Sequence, residues 1–421
     1  MASDNIADRY DVIVVGGGAG GVGAAVGAAR CGARTLLIEA SGCLGGAASL
    51  RGVNTYCGIY TLGDAPRQVV FGVAEDVLVK LRRRGALSGP HRFRGVFLAF
   101  DPEANKVALD EICLEAGVEV QFHSRLIAAT RTGGQIERVT VHDHGGSRHL
   151  ASRSFVDATG EANLAYLAGA STRYGNDGAV NLGSMATRFG GIPATVEITA
   201  QQIAAAVAAV RRDDPESMTK KSSVVARLPI SGDMCLYVAS ADYDPRDFAS
   251  VSRAEMSGRR QAQRYLEAIR SIPGCENAYL VATGPEFGTR ESRHINARQQ
   301  LTWHDIETRR QFDDCIALGA WGAEWHDRAT FESTLDIPAD GTAYQIPLGC
   351  LLSADTENLI AAGRVADGDR KAGAAIRVMG TALASGQAAG VAAAGYAKDR
   401  AIDTKSVRRA LLAQGALLEF P

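Results

Sequence analysis

The stretch "DVIVVGGGAGGVGAAVGAAR", residues 11–30, decides the fold of this chain. It carries 18 consecutive residues without a charge, Val12 to Ala29, which is close to the length that crosses a bilayer. Seven of the 18 are glycines, and each glycine weakens a helix by about 1 kcal/mol relative to alanine. The stretch also divides: residues 12–15 suit a buried parallel strand, residues 16–21 suit a turn, and a helix of small residues follows. It therefore predicts a strand, a turn and a helix rather than a membrane span.

The glycines of this turn have a spacing that suits a bound phosphate. In Gly16-x-Gly18-x-x-Gly21, the first glycine permits a tight turn, the second lets a pyrophosphate approach the backbone, and the third lets helix and strand pack closely. The next predicted strand, "RTLLIEA", ends in Glu39, 21 residues after Gly18. A carboxylate there accepts hydrogen bonds from ribose hydroxyls and repels a 2′-phosphate. The pattern predicts a bound dinucleotide and leaves both NAD and FAD open.

Three later stretches favour FAD. The adjacent pair Gly45 and Gly46 follows the acid in "EASGCLGGAAS", residues 39–49, and an apolar strand ends in "DATG" within residues 154–170. Residues 357–397 hold a strand that ends in "AGR", a loop and an Ala/Gly-rich helix. Together with "GTRESRHI", these stretches resemble the FAD-dependent oxidoreductase family of the glutathione-reductase-like flavoprotein superfamily. The resemblance runs from residue 11 to residue 394.

The resemblance implies FAD as the cofactor and specifies its contacts. The glycine turn would hold the pyrophosphate, Glu39 would hold the ribose, and the start of the last long helix would lie at the pyrimidine edge of the flavin. A helix N-terminus at that edge stabilises negative charge on the reduced flavin. The implied cofactor-binding residues are Gly16, Gly18, Gly21, Glu39, Ala40, Gly45, Gly46, Ala47, Leu126, Ala158, Thr159, Gly160, Gly363, Arg364, Arg377, Val378 and Met379.

The predicted fold class is α/β, with a discontinuous Rossmann-like FAD-binding domain that includes a β-meander, and an α+β substrate-binding domain. Glycine pairs at 133–134 and 145–146 predict the two turns of the meander. The polar run "RDDPESMTKKSS", residues 212–223, predicts a surface loop in the second domain. The FAD-binding domain is predicted at residues 1–50, 104–170 and 345–421, and the substrate-binding or cap region at residues 51–103 and 171–344.

Composition and charge exclude several classes of function. The 421 residues are 46% apolar with a formal net charge of −2, which implies no polyanionic partner such as a nucleic acid. The eight cysteines include no CxxC pair, and His142, His144 and His149 lie at irregular spacing beside a predicted turn, so we expect no metal site. The first ten residues carry no basic region typical of a signal peptide. We therefore expect reduced thiols, no membrane span and a cytoplasmic protein, with homo-oligomerisation left open.

Two segments are predicted to face the isoalloxazine ring. The first, "SLRGVNTYCGIY", offers Tyr56 as a candidate catalytic residue, with a role as cavity wall as the alternative. The second, "FGTRESRHI", offers Arg290 and Arg293. A short helix or turn would put both guanidinium groups on one side, as a fork for a substrate carboxylate or other anion. The alternative is that Arg290 and Glu291 form structural ion pairs that lock the domain interface.

Two histidines are candidate bases, because an imidazole titrates near neutral pH. His294 directly follows the second arginine, and His326 lies in "GAEWHDR", beside Asp327. For each histidine the alternative is a hydrogen-bonded structural role.

The expected function is hydride transfer between N5 of the flavin and a small polar metabolite, through its alcohol, amine or C–C bond. The sequence holds no second GxGxxG for a pyridine nucleotide, so the electron acceptor stays open among oxygen, a quinone and a carrier protein. Two other functions stay open. One is flavin monooxygenase or halogenase chemistry, although the pair Trp321 and Trp325 does not resemble the halogenase motif. The other is a non-catalytic flavin redox sensor, which the lack of a recognisable output domain disfavours.

Overall fold

The structure, a computed structural model, describes residues 7–212, 218–338 and 340–420, without the side chains of residues 7–9. Residues 1–6, on which the expectation about a signal peptide falls, and residues 213–217 of the predicted surface loop lie outside the described residues. Across the described ranges, no helix has both the length and the apolar character needed to cross a bilayer.

Strands and helices alternate at the start of the chain, antiparallel strands dominate its middle, and helices close it. The strands are β1 (Ala7–Val15), β2 (Thr35–Ile38), β3 (Thr55–Cys57), β4 (Leu87–Phe93), β5 (Gly95–Phe100), β6 (Glu119–Gln121), β7 (Arg125–Thr132), β8 (Gln135–Asp143), β9 (Gly146–Asp157), β10 (Thr172–Tyr174), β11 (Gly183–Gly190), β12 (Ala226–Arg227), β13 (Met234–Ala241), β14 (Tyr279–Thr283), β15 (Arg293–Ile295), β16 (Cys315–Gly319), β17 (Ala323–His326), β18 (Ser333–Asp336), β19 (Tyr344–Pro347) and β20 (Leu359–Ala361). The helices are α1 (Ala19–Ala29), α2 (Val73–Arg83), α3 (Pro102–Glu115), α4 (Asn163–Leu167), α5 (Ala200–Arg211), α6 (Phe248–Arg270), α7 (Trp303–Glu307), α8 (Arg370–Ile376), α9 (Met379–Asp399) and α10 (Thr404–Ala413).

The main sheet is seven-stranded and mixed. Strands β6, β2, β1, β9 and β20 run parallel, and β9 continues into an antiparallel meander with β8 and β7. Residues 12–15 of β1 are buried on both faces of the sheet, which is why this strand reads as a continuous apolar run. The predicted α/β class is confirmed, as are the strand–turn–helix at the start and the meander with its two turns.

Helix α1 lies directly on α9, backbone against backbone. A Cβ atom on Gly386 would lie 2.2 Å from Gly20 O, and one on Gly390 would lie 1.9 Å from Ala24 O. Both distances are far inside van der Waals contact, so neither glycine can carry a side chain without moving one helix off the other. The Ala/Gly-rich composition of the two helices follows from this contact.

A second, antiparallel sheet has the strand order β12-β13-β11-β14, and α5 and α6 pack with it into a separate buried cluster. Helix α6 is capped by Asp247, whose carboxylate accepts hydrogen bonds from Ala249 N and Ser250 N. Its buried face includes Tyr265 and Ile269. This sheet brings β13 and the segment before β12 to the wall of the cavity described below.

Helix α2 lies within the region predicted as cap, and it packs against α3 and α9. Residues from α2 belong to the same buried cluster as residues from α1 and α9. The domain boundaries stay a prediction.

Candidate active site

A cavity of about 910 Å³ runs from the turn between β1 and α1 to the strands β13 and β17. This volume is within the range of ligand-binding clefts. Two of the predicted cofactor residues lie behind its wall: Gly21 packs on Gly16, and Gly45 N donates to Gly17 O (2.8 Å). The predicted cofactor residues that line the cavity are Gly16, Gly18, Glu39, Ala40, Gly46, Ala47, Leu126, Ala158, Thr159, Gly160, Gly363, Arg364, Arg377, Val378 and Met379.

The turn between β1 and α1 presents backbone N–H groups to the cavity. Gly16 has a φ of +102°, and a Cβ there would lie 2.5 Å from Ala158 O, so only glycine fits this position. Gly18 is the N-cap of α1, which has no side-chain cap and no acid in its first turn. An anion at this helix start meets the positive end of the helix dipole and free N–H donors. The arrangement fits the pyrophosphate of FAD.

Glu39 follows β2 directly and lies at the same edge of the sheet as the glycine turn. Its Oε2 accepts a hydrogen bond from Gly17 N (2.6 Å), and its Oε1 accepts one from Ser41 N (2.7 Å). The residue is 7% exposed and lines the cavity. An ionised carboxylate has further lone pairs, which remain for ribose hydroxyls. The geometry therefore fits the predicted ribose contact.

The start of α9 lies in the cavity wall farther along. Val378 is its N-cap, with no side-chain cap and no acid in the first turn. Arg377 precedes it, and its Nη2 donates to Glu324 O (3.0 Å) and lies 3.3 Å from Glu324 Oε2. A helix start beside an arginine stabilises negative charge, which fits the pyrimidine edge of a reduced flavin. Arg364, also in the wall, is paired with Glu161 (2.5 Å).

Two predicted catalytic residues are absent from the described cavity wall. Tyr56 is 1% exposed, and its hydroxyl donates to Asn105 Oδ1 (2.7 Å). Burial raises the pKa of this hydroxyl well above its ordinary value, so it is a poor acid. His294 is buried, with Nε2 3.1 Å from Glu291 Oε1 and Nδ1 3.0 Å from Ala366 O. Both side chains are held in hydrogen-bonded positions away from the cavity.

Arg290 and Arg293 line the cavity but do not form the predicted fork. The residues between them are not helical and lead into β15. Arg290 donates to Leu182 O (2.5 Å) and Ser184 Oγ (2.7 Å), whereas the Arg293 guanidinium lies 4.1 Å from the centre of the Tyr166 ring. The structure thus gives the two guanidinium groups different partners, and no helix joins the two residues.

Of the two residues in the alternative of structural ion pairs, Arg290 forms none with the described residues, whereas Glu291 lies within ion-pair distance of His294. Glu291 Oε2 accepts hydrogen bonds from Asn181 N (3.0 Å) and Asn181 Nδ2 (2.8 Å), and its Oε1 faces His294. Asn181 Oδ1 in turn accepts a hydrogen bond from His326 N (2.9 Å). His294 and Glu291 thus support the backbone of His326 from behind the cavity wall.

Five side chains form a charged cluster in the cavity wall, here called the His326 cluster: Lys220, Arg290, Glu324, His326 and Arg377. Lys220 Nζ lies 3.1 Å from His326 Nδ1, and His326 Nε2 lies 3.4 Å from Glu324 Oε1. Arg290 and His326 are catalytic candidates predicted from the sequence, and Arg377 is a predicted cofactor residue. Lys220 and Glu324 are not predicted from the sequence.

A signal for Glu324 exists in the sequence. It lies two residues before His326, and alternate residues of a strand face the same side, so both side chains of β17 point into one site. The same pattern excludes Asp327, whose carboxylate instead accepts from Ala329 N and Thr330 N.

Lys220 has no such signal, because it lies in the polar run read as a surface loop. That prediction is wrong for Met218 and Lys220, which are buried. The Tyr265 hydroxyl on α6 accepts a hydrogen bond from Lys220 N (2.9 Å) and donates one to Lys220 O (2.7 Å). These bonds fix the segment between α6 and the cavity, a placement that only the tertiary fold determines.

Burial and neighbouring charges shift the pKa of four side chains in this cluster: Lys220, His326, Arg290 and Glu324. Burial and Arg290 lower the pKa of Lys220 from 10.5 to about 7, and the same two causes lower the pKa of His326 well below its ordinary value. Burial and Arg377 lower the pKa of Arg290 to about 10. Burial alone would raise the pKa of Glu324, but hydrogen bonding from the His326 ring and attraction to Arg377 outweigh burial and keep this pKa below its ordinary value. At neutral pH the imidazole is therefore neutral and the carboxylate ionised.

Within the described ranges, no three His, Cys, Asp or Glu side chains are grouped so that they could hold a metal ion.

None of the curated protein sequences matches the chain. Among solved structures, the chain is similar to a geranylgeranyl bacteriochlorophyll reductase-like protein from Thermoplasma acidophilum (13% identity, TM-score 0.49, 98% of this chain and 84% of that chain). It is also similar to p-nitrophenol 4-monooxygenase PnpA from Pseudomonas putida DLL-E4 (12% identity, TM-score 0.47, 96% and 84%) and to the flavin-dependent brominase Bmp2 (12% identity, TM-score 0.48, 96% and 83%). Similarities this distant carry no argument about activity.

The sequence model of the FAD dependent oxidoreductases matches residues 11–414, nearly the whole chain. The cavity agrees with this match, since its glycine turn, buried acid and uncapped helix starts suit FAD. The chain belongs to the FAD-dependent oxidoreductase family and binds FAD.

Proposed function

We propose that the protein transfers hydride between FAD and a small anionic metabolite, at an alcohol, an amine or a C–C bond. The observation that carries the anionic character is the environment of Arg290. Its guanidinium lies in the cavity wall, donates to the neutral Leu182 O and Ser184 Oγ, and forms no ion pair with the described residues. A desolvated cation without a counterion is costly, so we expect the ligand to supply the anion.

The charge balance of the His326 cluster supports the same expectation. Its two arginines, Arg290 and Arg377, face a single carboxylate, Glu324, and Arg377 lies within 3.3 Å of that carboxylate. Arg290 is left for the ligand. Guanidinium groups bind carboxylates through charge-assisted hydrogen bonds, which are stronger than neutral ones.

Bound FAD supplies the hydride acceptor or donor at N5 of the flavin. The chain supplies placement and charge. Arg290 holds the anionic group of the substrate, while Arg377 and the start of α9 stabilise negative charge on the cofactor. His326, which is neutral, adds a polar side chain to the cavity wall but no further positive charge. Tyr56 and His294 lie outside the proposed catalytic set because their side chains bond elsewhere.

Anaerobic reduction of the flavin tests the proposal. We expect some carboxylate-bearing alcohols or amines of a metabolite library to bleach the flavin absorbance, and their amide counterparts to leave it unchanged. Arg290→Met should raise the substrate concentration for half-maximal bleaching by about 30- to 150-fold, since a charge-assisted contact of ~2–3 kcal/mol is lost, with FAD content unchanged.

Arg246→Met is the matched control, because it removes a surface arginine paired with Asp244 (2.7 Å) and should bleach like the wild type. Aerobic reoxidation with oxygen, a quinone or a carrier protein then identifies the acceptor. Reduction by NADH or NADPH alone, followed by oxygen insertion into a metabolite, would contradict the proposal and indicate a monooxygenase.

A further inference from the structure

One lysine in the segment before β12 is buried in the cavity wall. Lys220 is 7% exposed, and the Tyr265 hydroxyl fixes its backbone at both N and O. Its Nζ lies 3.1 Å from His326 Nδ1. The next residue differs, since Lys221 is exposed and pairs with Glu332 (3.2 Å). An enclosed lysine loses hydration, which disfavours the ammonium form.

Glu324 and His326 set the direction of the hydrogen bonds around this amine. His326 Nε2 lies 3.4 Å from Glu324 Oε1, so the carboxylate favours the tautomer that carries its proton on Nε2. Nδ1 is then an acceptor, and Lys220 Nζ donates one hydrogen to it. A neutral amine in this position keeps its lone pair for a proton from the cavity.

Charged groups from several elements surround Lys220. Arg290, from the segment before β15, and Arg377, at the start of α9, oppose a further positive charge. Glu324 on β17 and Glu332 in the loop after it favour one. Burial and the arginines outweigh the two acids, and the pKa of Lys220 falls to about 7. The amine and ammonium forms therefore interconvert near neutral pH.

We propose that Lys220 is the catalytic base of this enzyme and that His326 and Glu324 are its positioning residues. The inference rests on the proposed function. In the oxidation of an alcohol, the C–H hydrogen leaves with its electron pair as hydride to FAD. The O–H bond breaks as the C=O bond forms, and the hydroxyl proton moves to the neutral Nζ of Lys220. The substrate loses two electrons and two hydrogens, and Lys220 becomes an ammonium that Glu324 and Glu332 stabilise.

Two substitutions test the assignment. Lys220→Met removes the amine at similar length, and Lys220→Arg keeps the charge but accepts no proton at neutral pH. In anaerobic single-turnover experiments, we expect either variant to reduce its flavin about 100-fold more slowly, which is within the range for loss of a general base. The fall in rate below about pH 7, where the wild-type amine is protonated, should disappear. FAD content and the substrate concentration for half-maximal rate should change little.

Lys371→Met is the matched control, since it removes a surface lysine paired with Asp336 (2.8 Å). It should reduce its flavin at the wild-type rate. A second measurement needs no substrate: in FAD-loaded protein with [ε-¹³C]lysine, the NMR signal missing from Lys220→Arg belongs to Lys220. We expect this signal to titrate near pH 7, and at lower pH in Glu324→Gln, which removes a stabilising negative charge.

The two failures are distinguishable. Wild-type protein that no metabolite bleaches would contradict the proposed function. Wild-type protein that is bleached while Lys220→Met is bleached equally fast would overturn the assignment of the base. A Lys220 signal that titrates above about pH 9 would overturn it too, because an ammonium accepts no proton.

Discussion

The two ends of the cavity are built in different ways. At the dinucleotide end, Gly16, Glu39 and Ala158 each follow directly after a strand of the parallel sheet, so three strand ends place them at one edge. The His326 cluster takes its members from four separate parts of the chain, between residues 220 and 377. The first end therefore depends on local spacing, and the second depends on how distant segments fold together.

The two ends also differ in the interactions on which they depend. The dinucleotide end depends on backbone N–H groups and on glycines that leave room for close backbone contacts. Substitutions there change the shape of the site. The His326 cluster uses ionisable side chains that shift one another's pKa, so substitutions there act through charge and depend on pH. Each prediction below tests one side of this contrast.

The largest effect is expected from Gly21→Val at the dinucleotide end. A Cβ on Gly21 would lie 1.7 Å from Gly16 O, so the turn between β1 and α1 has to open. We expect loss of FAD and of most folded protein, measured as flavin absorbance per chain and by thermal melting. A Gly21→Val protein with full FAD and unchanged Tm would show that shape does not limit this end.

The second effect concerns the pH dependence of stability. The folded-state pKa of Lys220, about 7, lies below its ordinary 10.5, so between these values the unfolded chain binds a proton that the folded chain lacks. Stability of the wild type must then rise with pH relative to Lys220→Met, by up to ~1.4 kcal/mol per pH unit between about pH 7 and pH 10. Urea unfolding of both proteins across this range measures the difference. A constant difference would mean that Lys220 titrates normally.

The third effect is a loss of FAD affinity in Glu39→Gln. The amide keeps an acceptor oxygen for Gly17 N, loses the acceptor for Ser41 N and removes the charge offered to the ribose, which is worth about 1.5–3 kcal/mol for a charge-assisted hydrogen bond. We expect the Kd for FAD to rise by roughly 10- to 100-fold with the apoprotein fold retained, measured by titration of FAD into apoprotein. An unchanged Kd would remove Glu39 from the ribose site.

The smallest effect is expected from Gly395→Ala, which sharpens the first prediction. Gly395 lies within α9, and a Cβ there would meet no atom within 4 Å. Alanine should raise the free energy of unfolding by up to about 1 kcal/mol, with FAD content unchanged. Destabilisation would show that crowding of α9 extends beyond its contact with α1.

The sequence predicts the parts of this molecule that depend on short-range spacing. The glycine turn, the acid after β2 and the meander each lie within one continuous segment, so periodicity and turn residues suffice. The predicted arginine fork depends on contacts with other segments: Arg290 bonds to Leu182 and Ser184, and Arg293 packs on Tyr166, which the spacing of the two arginines does not reveal. Lys220 is not predicted because a polar run has the same sequence pattern whether it is exposed to solvent or packed against a hydroxyl from α6.

Helix α1 begins at the glycine turn and α9 begins in a second part of the cavity wall, where we expect the pyrophosphate and the flavin respectively. The two helices meet without intervening side chains at Gly386 and Gly390. Contact between the two backbones sets the distance between these helices, so exchanging side chains cannot bring them closer together. As such an enzyme diverges, the position of its cofactor would stay constant. Changes of substrate would then have to arise on the facing wall, from β13, β17 and the segment of Lys220, where residues can be exchanged without moving the cofactor.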